Sequence, residues 1–383
     1  MEVVVTLPIA PKIQPEITFL ESSFVADVIS RLTKKQFILP LNFLGRSHSE
    51  KVVDPDLLFC NYKNLLNRFG INPSRYWRDS SSEHLLYVQE AVDLLNHLGF
   101  IKISREKILK CDCGTVEILA STKLLPKGKV YNFLNGEKKC ILCNSVLKLV
   151  DTESIFLRLP FLKQLKILPQ KLDKRAQLEM KNSCSYSWRI SRIRNTGVSV
   201  EIGNKQFYLD PDFLWMIISF SMLQKRIKVN TVISSSRSLR KAILFCILSN
   251  IFSKITPTLL LHPYVKLNYS KDNFWDWETS QFKATSLFNR YGRYLCRIFQ
   301  GLGLNWGKLE FSLETSRLFW LSRSINNLLD LNKSDRLFKK PLEIEDIINK
   351  VNTNTISEFI TLSRRREKVS TEFRSIIPAI IGK

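Results

Sequence analysis

The residues best equipped for chemistry are four cysteines in two short hooks. Cys111-Asp112-Cys113-Gly114 is followed by Lys139-Cys140-Ile141-Leu142-Cys143-Asn144. Two such hooks, separated by a basic loop, fit tetrahedral thiolate coordination of Zn²⁺. Gly114 and Asn144 follow their hooks directly and relieve the backbone where amides turn toward sulfur. A site closed by four thiolates has no open position, so the metal is expected to be structural. It would anchor the loop from 121 to 136, which has little else to fold around. A redox disulfide, or cysteine pairs without a metal, is the competing reading. The remaining cysteines (Cys60, Cys184, Cys246, Cys296) are scattered among mostly apolar neighbours, unlike a secreted disulfide framework.

A second chemically suggestive stretch is Thr6 to Arg31. Val3, Val4 and Val5, closed by Leu7-Pro8, suit a buried strand, and Pro11 and Pro15 bracket a turn. Leu20, Phe24, Val28 and Leu32 then recur at helical spacing. A strand feeding a helix through a tight loop is where nucleotide-binding folds place a phosphate, at the helix N-terminus.

Other elements must position these groups. Phe37 to Phe43 reads as a second strand, ending at Gly45-Arg46-Ser47-His48. Pro55 to Arg78 carries Phe59, Leu65, Phe69 and Ile71, with Gly70 as a C-cap signal. Ser80 and Glu83 make a capping box before one helix face formed by Leu85, Val88, Val92, Leu95 and Leu98 and closed by Gly99. Leu157 to Leu172 reads as short helix. Val232-Ile233 leads into Ser234-Ser235-Ser236-Arg237 and an apolar helix from Leu239 to Phe252. Pro257 to Val265 suits a last core strand, and Leu313 to Leu331 an amphipathic helix.

In this order the landmarks resemble class I aminoacyl-tRNA synthetases, closest to the methionyl type. That family has Pro-x-x-Asn-Gly-x-x-His-x-Gly-His, then Ala-Asp-Val. Here Ala26-Asp27-Val28-Ile29 stands at the right distance, while Glu16-Ile17-Thr18-Phe19 fills the His-x-Gly-His slot. The run from Arg68 to Ile101 is similar to the segment leading into the family's metal-bearing insertion. Trp188-x-Ile190-Ser191-Arg192, followed by Gly197, resembles the strand that re-enters the nucleotide domain. His262-Pro263-Tyr264-Val265 leads toward Lys271 as the family's His-Gly-x-Val leads toward its Lys-Met-Ser-Lys-Ser loop. Two registers of that loop remain open, one with Lys271 as first lysine and one with Ser270-Lys271 as the Ser-Lys pair.

The resemblance implies an α/β fold: a Rossmann-like nucleotide-binding domain, a zinc-binding connective insertion and a C-terminal α-helical region. The expected segments are 1–105 and 186–280 for the two Rossmann halves, 106–185 for the insertion and 281–383 for the helices. It implies His48 and Lys271 as catalytic groups and Pro8, Glu16, Phe19, Ser234, Ser236, His262 and Lys271 around a nucleotide. Leu7, Ile9, Tyr208 and Asp210 would line an amino-acid pocket. Both catalytic signatures are changed. Activation of an amino acid needs preorganised cations and donors around ATP phosphates, and Glu16 and Phe19 supply neither. The expectation is therefore a synthetase-like protein that is not a standard aminoacylating enzyme. The alternatives are a repurposed ATP- or aminoacyl-dependent ligase of specialised metabolism, or a divergent aminoacyl-tRNA ligase.

The 383 residues carry a formal net charge of +23. Such a balance favours phosphate contact, with tRNA or another RNA as candidate partner; a solvated lysine-rich surface is the bland reading. The cluster Arg364-Arg365-Arg366 is open to the same two readings. ATP, an amino acid and a protein partner are the other candidate ligands. Glu2 and the early prolines argue against a signal peptide, and the longest apolar run, Ala242 to Phe252, is too short to span a bilayer. A reducing, cytoplasmic location with no membrane contact is expected.

Overall fold

The computed structural model describes residues 1–44, 54–114, 116–120, 131–134, 137–140, 143–193, 197–268, 283–314, 321, 341–365 and 371–382. Its centre is a parallel sheet. The strands lie in the order Arg75–Arg78, Gln36–Leu41, Glu2–Thr6, Lys228–Ser235, Thr258–His262, Ile167–Leu168. Such a sheet is covered on both faces, so its strands read as continuous apolar runs. Val4 packs into one core cluster, with Phe24 and Leu39. Val3 and Val5 pack into the other, with Ile38 and Val232. The helix Leu239–Ser253 is apolar almost all round because it is buried almost all round.

Between Glu2–Thr6 and Lys228–Ser235 the strand order reverses direction. Open α/β sheets bind ligands at such a switch point, outside the carboxyl ends of the strands. The opening helix Glu21–Thr33 starts there, after a single 3₁₀ turn at Ile17–Leu20.

An antiparallel ribbon leaves this core. Ile101–Lys110 pairs along its whole length with Lys148–Leu157. Trp188–Arg189 adds to the near end of the ribbon, and Ser191–Arg192 pairs with Lys205–Leu209 in a small antiparallel sheet.

Several local expectations need correction. The cap after the third strand is Ser81, not Ser80: its side chain accepts from His84 N–H, and its helix covers only Ser82–Leu85 before a second helix, Val88–His97. Glu83 is drawn away from capping by Arg75, 2.6 Å distant. Leu157 to Leu172 is mostly irregular chain, helical only in a 3₁₀ turn at Gln170–Leu172. Ile167–Leu168 pairs with Leu259–Leu260 and becomes the edge of the central sheet, so backbone pairing decides the conformation there. Leu313, where a helix is expected to start, belongs instead to a strand, Glu310–Glu314, paired in parallel with Tyr264–Asn268. Most of the remainder of that segment lies outside the described residues. The long helix Ala284–Leu302 breaks at Gly292, whose φ is 73° and ψ 175°. Among the described residues, no helix is long and apolar enough to cross a membrane.

The C-terminal helices pack on the opening helix through one buried cation. Arg297 is 0% exposed. It donates to Asp27 Oδ2 at 2.8 Å, to the carbonyls of Phe69 (3.2 Å), Gly70 (3.3 Å) and Ala379 (2.9 Å), and to that of Ile380. Burial lowers its pKa to about 10, and the Asp27 carboxylate opposes that shift. Gly70 turns the chain here at φ +66°, and a Cβ on it would meet Arg293 Cδ at 3.1 Å. Removing one partner of a buried, hydrogen-bonded pair costs about 3–5 kcal/mol. Arg297→Leu should therefore lower the urea-unfolding free energy by about that amount. Pairing it with Asp27→Asn should recover part of the loss, because no buried charge is then left unpaired.

Candidate functional site

The crevice at the switch point gathers residues far apart in the chain. Leu7 N–H donates to Ile233 C=O at 3.1 Å, and Ile9 N–H to Pro40 C=O at 3.1 Å. The Leu7-Pro8-Ile9 segment thus spans from the serine-tipped strand to the second strand. Ser234 and Ser236 stand at the tip of Lys228–Ser235, and His262 ends the neighbouring strand. These residues meet at the carboxyl ends of the central strands, beside the start of the opening helix.

Their polar atoms are largely committed to the protein. His262 is buried, and its Nδ1 lies 2.9 Å from Pro263 O while Nε2 lies 2.7 Å from Ser22 Oγ. The Pro263 carbonyl can only accept, so Nδ1 carries the proton and Ser22 donates to Nε2. Burial lowers the His262 pKa to about 4, which leaves the ring neutral at pH 7. Ser236 donates to Leu309 C=O and accepts from Tyr264 N–H at 3.2 Å. Ser234 donates to Ser235 C=O at 3.1 Å.

At the helix start, Glu16 is exposed and bridges Lys283 through the backbone. Phe19 is half-buried, with Lys12 Nζ 4.7 Å from its ring centroid. Lys12 was missed by motif reading, because its place is set by the turn between Pro11 and Pro15 and not by any spacing. Glu21, in the first helical turn, is buried with Oε1 unpaired, and burial holds its pKa well above the carboxylate range. His48 and Lys271 lie outside the described residues.

Tyr208 and Asp210 belong to the small antiparallel sheet and its exit. Asp210 pairs with Arg192 and caps the helix Pro211–Met216 by accepting from Asp212 N–H at 2.7 Å. It also borders a cavity of about 130 Å³ floored by Ile190, Phe213, Met216 and Leu244. Lys241 and Asp212, 3.0 Å apart, stand at the rim. That pair joins positions 29 residues apart on different helices and leaves no sequence signature.

The four cysteines converge at the far end of the ribbon. Cys111 directly follows one strand of the ribbon, and Cys140 and Cys143 precede the other. Their Sγ atoms all lie within 4.8 Å of one another, with Cys111–Cys113 at 3.3 Å and Cys113–Cys140 at 3.8 Å. Gly114 and Asn144 do adopt positive φ, 69° and 57°. Cys111 Sγ accepts from Val116 N–H at 3.2 Å. Burial pushes the Cys111 thiol up to about 12, whereas hydrogen bonds from the Ser145 hydroxyl and backbone bring Cys143 down to about 6. A buried thiolate needs a compensating cation. The four groups can together hold a metal ion.

No protein-family model matches the sequence, and no curated protein sequence matches it. Solved structures do match. A Mycobacterium tuberculosis methionyl-tRNA synthetase bound by methionyl-adenylate aligns over 99% of this chain and 88% of its own, with TM-score 0.62 and 11% identity. A second complex of that enzyme with methionyl-adenylate aligns equally well. Its apo form aligns with TM-score 0.58 over 86% of its length. This chain shares the methionyl-tRNA synthetase fold. At 11% identity the likeness establishes the fold alone.

Two buried histidines give the fold a pH dependence. His84 lies between Ser221 Oγ (2.9 Å) and Leu214 O (3.0 Å), and burial lowers its pKa to about 4, as for His262. The unfolded chain titrates these groups near 6.5. Between about pH 6.5 and 4 the unfolded state therefore binds protons that the folded state does not, and stability is lost as the pH is lowered. Each histidine contributes about 3 kcal/mol across that window. The urea midpoint of His262→Gln should fall less steeply there than that of the parent chain. Parallel curves would contradict the assignment.

Proposed function

We propose that this chain is a methionyl-synthetase-like protein that binds tRNA or another RNA and does not activate an amino acid in the standard way. The observation that carries this is the crevice's hydrogen-bond inventory. Activation places growing negative charge on ATP phosphates, and that charge must meet preorganised donors. The described crevice offers an exposed carboxylate at Glu16, an apolar ring at Phe19 and a neutral His262 with both nitrogens occupied. Losing a single such donor costs about 10²–10³ in rate. Lys12, over the Phe19 ring, is a described cation at this helix start, and the catalytic candidates His48 and Lys271 lie outside the described residues. Against this, the basic balance of +23 suits a polyanion.

The four-cysteine site fits Zn²⁺ as a structural ion. An all-thiolate set is a closed zinc sphere, and a tetrahedron with Zn–S near 2.3 Å has sulfur–sulfur edges of about 3.8 Å. The Cys113–Cys140 separation of 3.8 Å matches that edge, and all four sulfurs lie within 4.8 Å of one another. The local core, Cys111, Val116, Cys140 and Leu147, is too small to fold the knuckles without a metal.

The second reading is a ligase for another carboxylate. It is favoured by the 130 Å³ cavity, whose apolar floor and charged rim suit a small amphiphilic acid.

Three measurements decide among these. ATP–pyrophosphate exchange should be absent with a panel of amino acids; exchange with methionine would overturn the main reading, and exchange with another acid would favour the second. RNA affinity should fall linearly in log–log with salt, as counterion release requires. Purified protein should carry one zinc per chain. Cys113→Ser should lower that content and expose the ribbon tip to protease while leaving the main unfolding transition near its parent value.

A further inference from the structure

A second cleft lies on the carboxyl-end side of the sheet, away from the switch point. It opens where the edge strand Ile167–Leu168 ends, between the segment 168–171, the turn 304–306 and the helices Ile344–Lys350 and Thr353–Arg365. Its volume is about 610 Å³, within the range of small-molecule sites. The cysteine site and the crevice above make no use of it.

Its walls are fixed by groups that are already paired. Trp306 Nε1–H donates to Val351 C=O. Asn352 Oδ1 accepts from Asn354 N–H and Thr355 N–H, both at 3.0 Å, and its Nδ2 donates to Asn349 C=O at 2.6 Å. Thr353 Oγ1–H donates to Leu302 C=O at 3.0 Å. Gly307 sits at φ +86°, and a Cβ there would come 3.1 Å from Lys171 Cδ, so the lysine stem lies against bare backbone.

The lining is different in kind. Gln170, Asn349 and Asn354 are exposed and Asn305 is half-buried, and their side-chain amides make no hydrogen bond among the described residues; Lys171, also exposed, makes no ion pair among them, while the Glu345 carboxylate on the opposite wall is held by Lys166. Each amide offers a donor and an acceptor side by side, the complement of a nucleobase edge. Trp306 supplies a ring, and Lys171 a single point charge suited to one phosphate. We propose that this cleft takes one unstacked nucleotide of a bound RNA strand, its base among the four amides and Trp306 and its phosphate at Lys171. The proposal rests on the RNA-binding reading and adds the place and chemistry of one contact.

The test compares short oligouridylate with an abasic strand of equal length and charge, by fluorescence anisotropy across a salt series. The parent chain should prefer the base-bearing strand about tenfold, the scale of one stacked and hydrogen-bonded base. An Asn305→Ala, Asn349→Ala variant should lose that preference and keep the salt slope. Neither amide holds the fold together through its side chain, and matched urea midpoints check this. Lys171→Ala should reduce the slope by about one. Equal binding of both strands by the parent chain overturns the cleft proposal and leaves RNA binding standing, as does a double variant that keeps the full preference. A polysaccharide that displaces the oligonucleotide from the parent chain but not from the double variant would reassign the amides to sugar and overturn it too. No binding of either strand at low salt overturns both readings.

Discussion

The Asp27–Arg297 pair is the constraint on which the assembly of this molecule depends. Asp27 sits in the middle of the opening helix, and its carboxylate also accepts from Arg31 and from Asn72 N–H. Arg297 adds carbonyls from the turn after the helix Pro55–Arg68 and from the C-terminal helix Thr371–Ile381. One fully buried guanidinium thus joins four parts of the chain. Its five donors are fixed in a plane, so the carbonyls around it must take up matching positions. The pair contributes orientation more than net stability, since its desolvation offsets much of its attraction.

That orientation decides what reaches the crevice. The opening helix is held against the sheet with Ser22 toward His262, and the histidine is neutralised by the same burial that fixes it. A crevice built for phosphate chemistry would spend its donors on the ligand. Here Ser234, Ser236 and His262 donate to backbone carbonyls, and the remaining His262 nitrogen accepts from Ser22. The contrast with the amide-lined cleft is direct: there the committed groups form the wall and the uncommitted ones form the lining. The ribbon is a third arrangement, in which ten residue pairs bring two cysteine hooks together at the end farthest from the core.

Much of the central sheet was legible in the chain because its strands are apolar on both faces. Val3 to Val5, Phe37 to Leu41 and Thr258 to His262 have no polar face to confuse with an amphipathic helix. The failures have equally specific causes. Ser80 and Ser81 are both good caps, and a one-residue choice between them depends on Arg75 capturing Glu83. Leu157 to Leu172 has helical composition, but the sheet edge offers backbone partners that a short helix lacks. The strand Glu310–Glu314 could not be seen before its partner Tyr264–Asn268 was placed beside it.

The order of elements, the cysteine hooks and the departures at Glu16 and Phe19 are determined by the sequence alone, because each is a matter of residue type and short spacing. The thiol cluster follows almost from spacing as well, once two strands of equal length flank it. What only the tertiary structure decides is which polar groups remain available. Arg297, Ser22, Lys241, Asn305 and Asn349 carry no local signal of their roles. Their chemistry depends on partners brought from dozens to hundreds of residues away, and on whether those partners leave a donor or acceptor free.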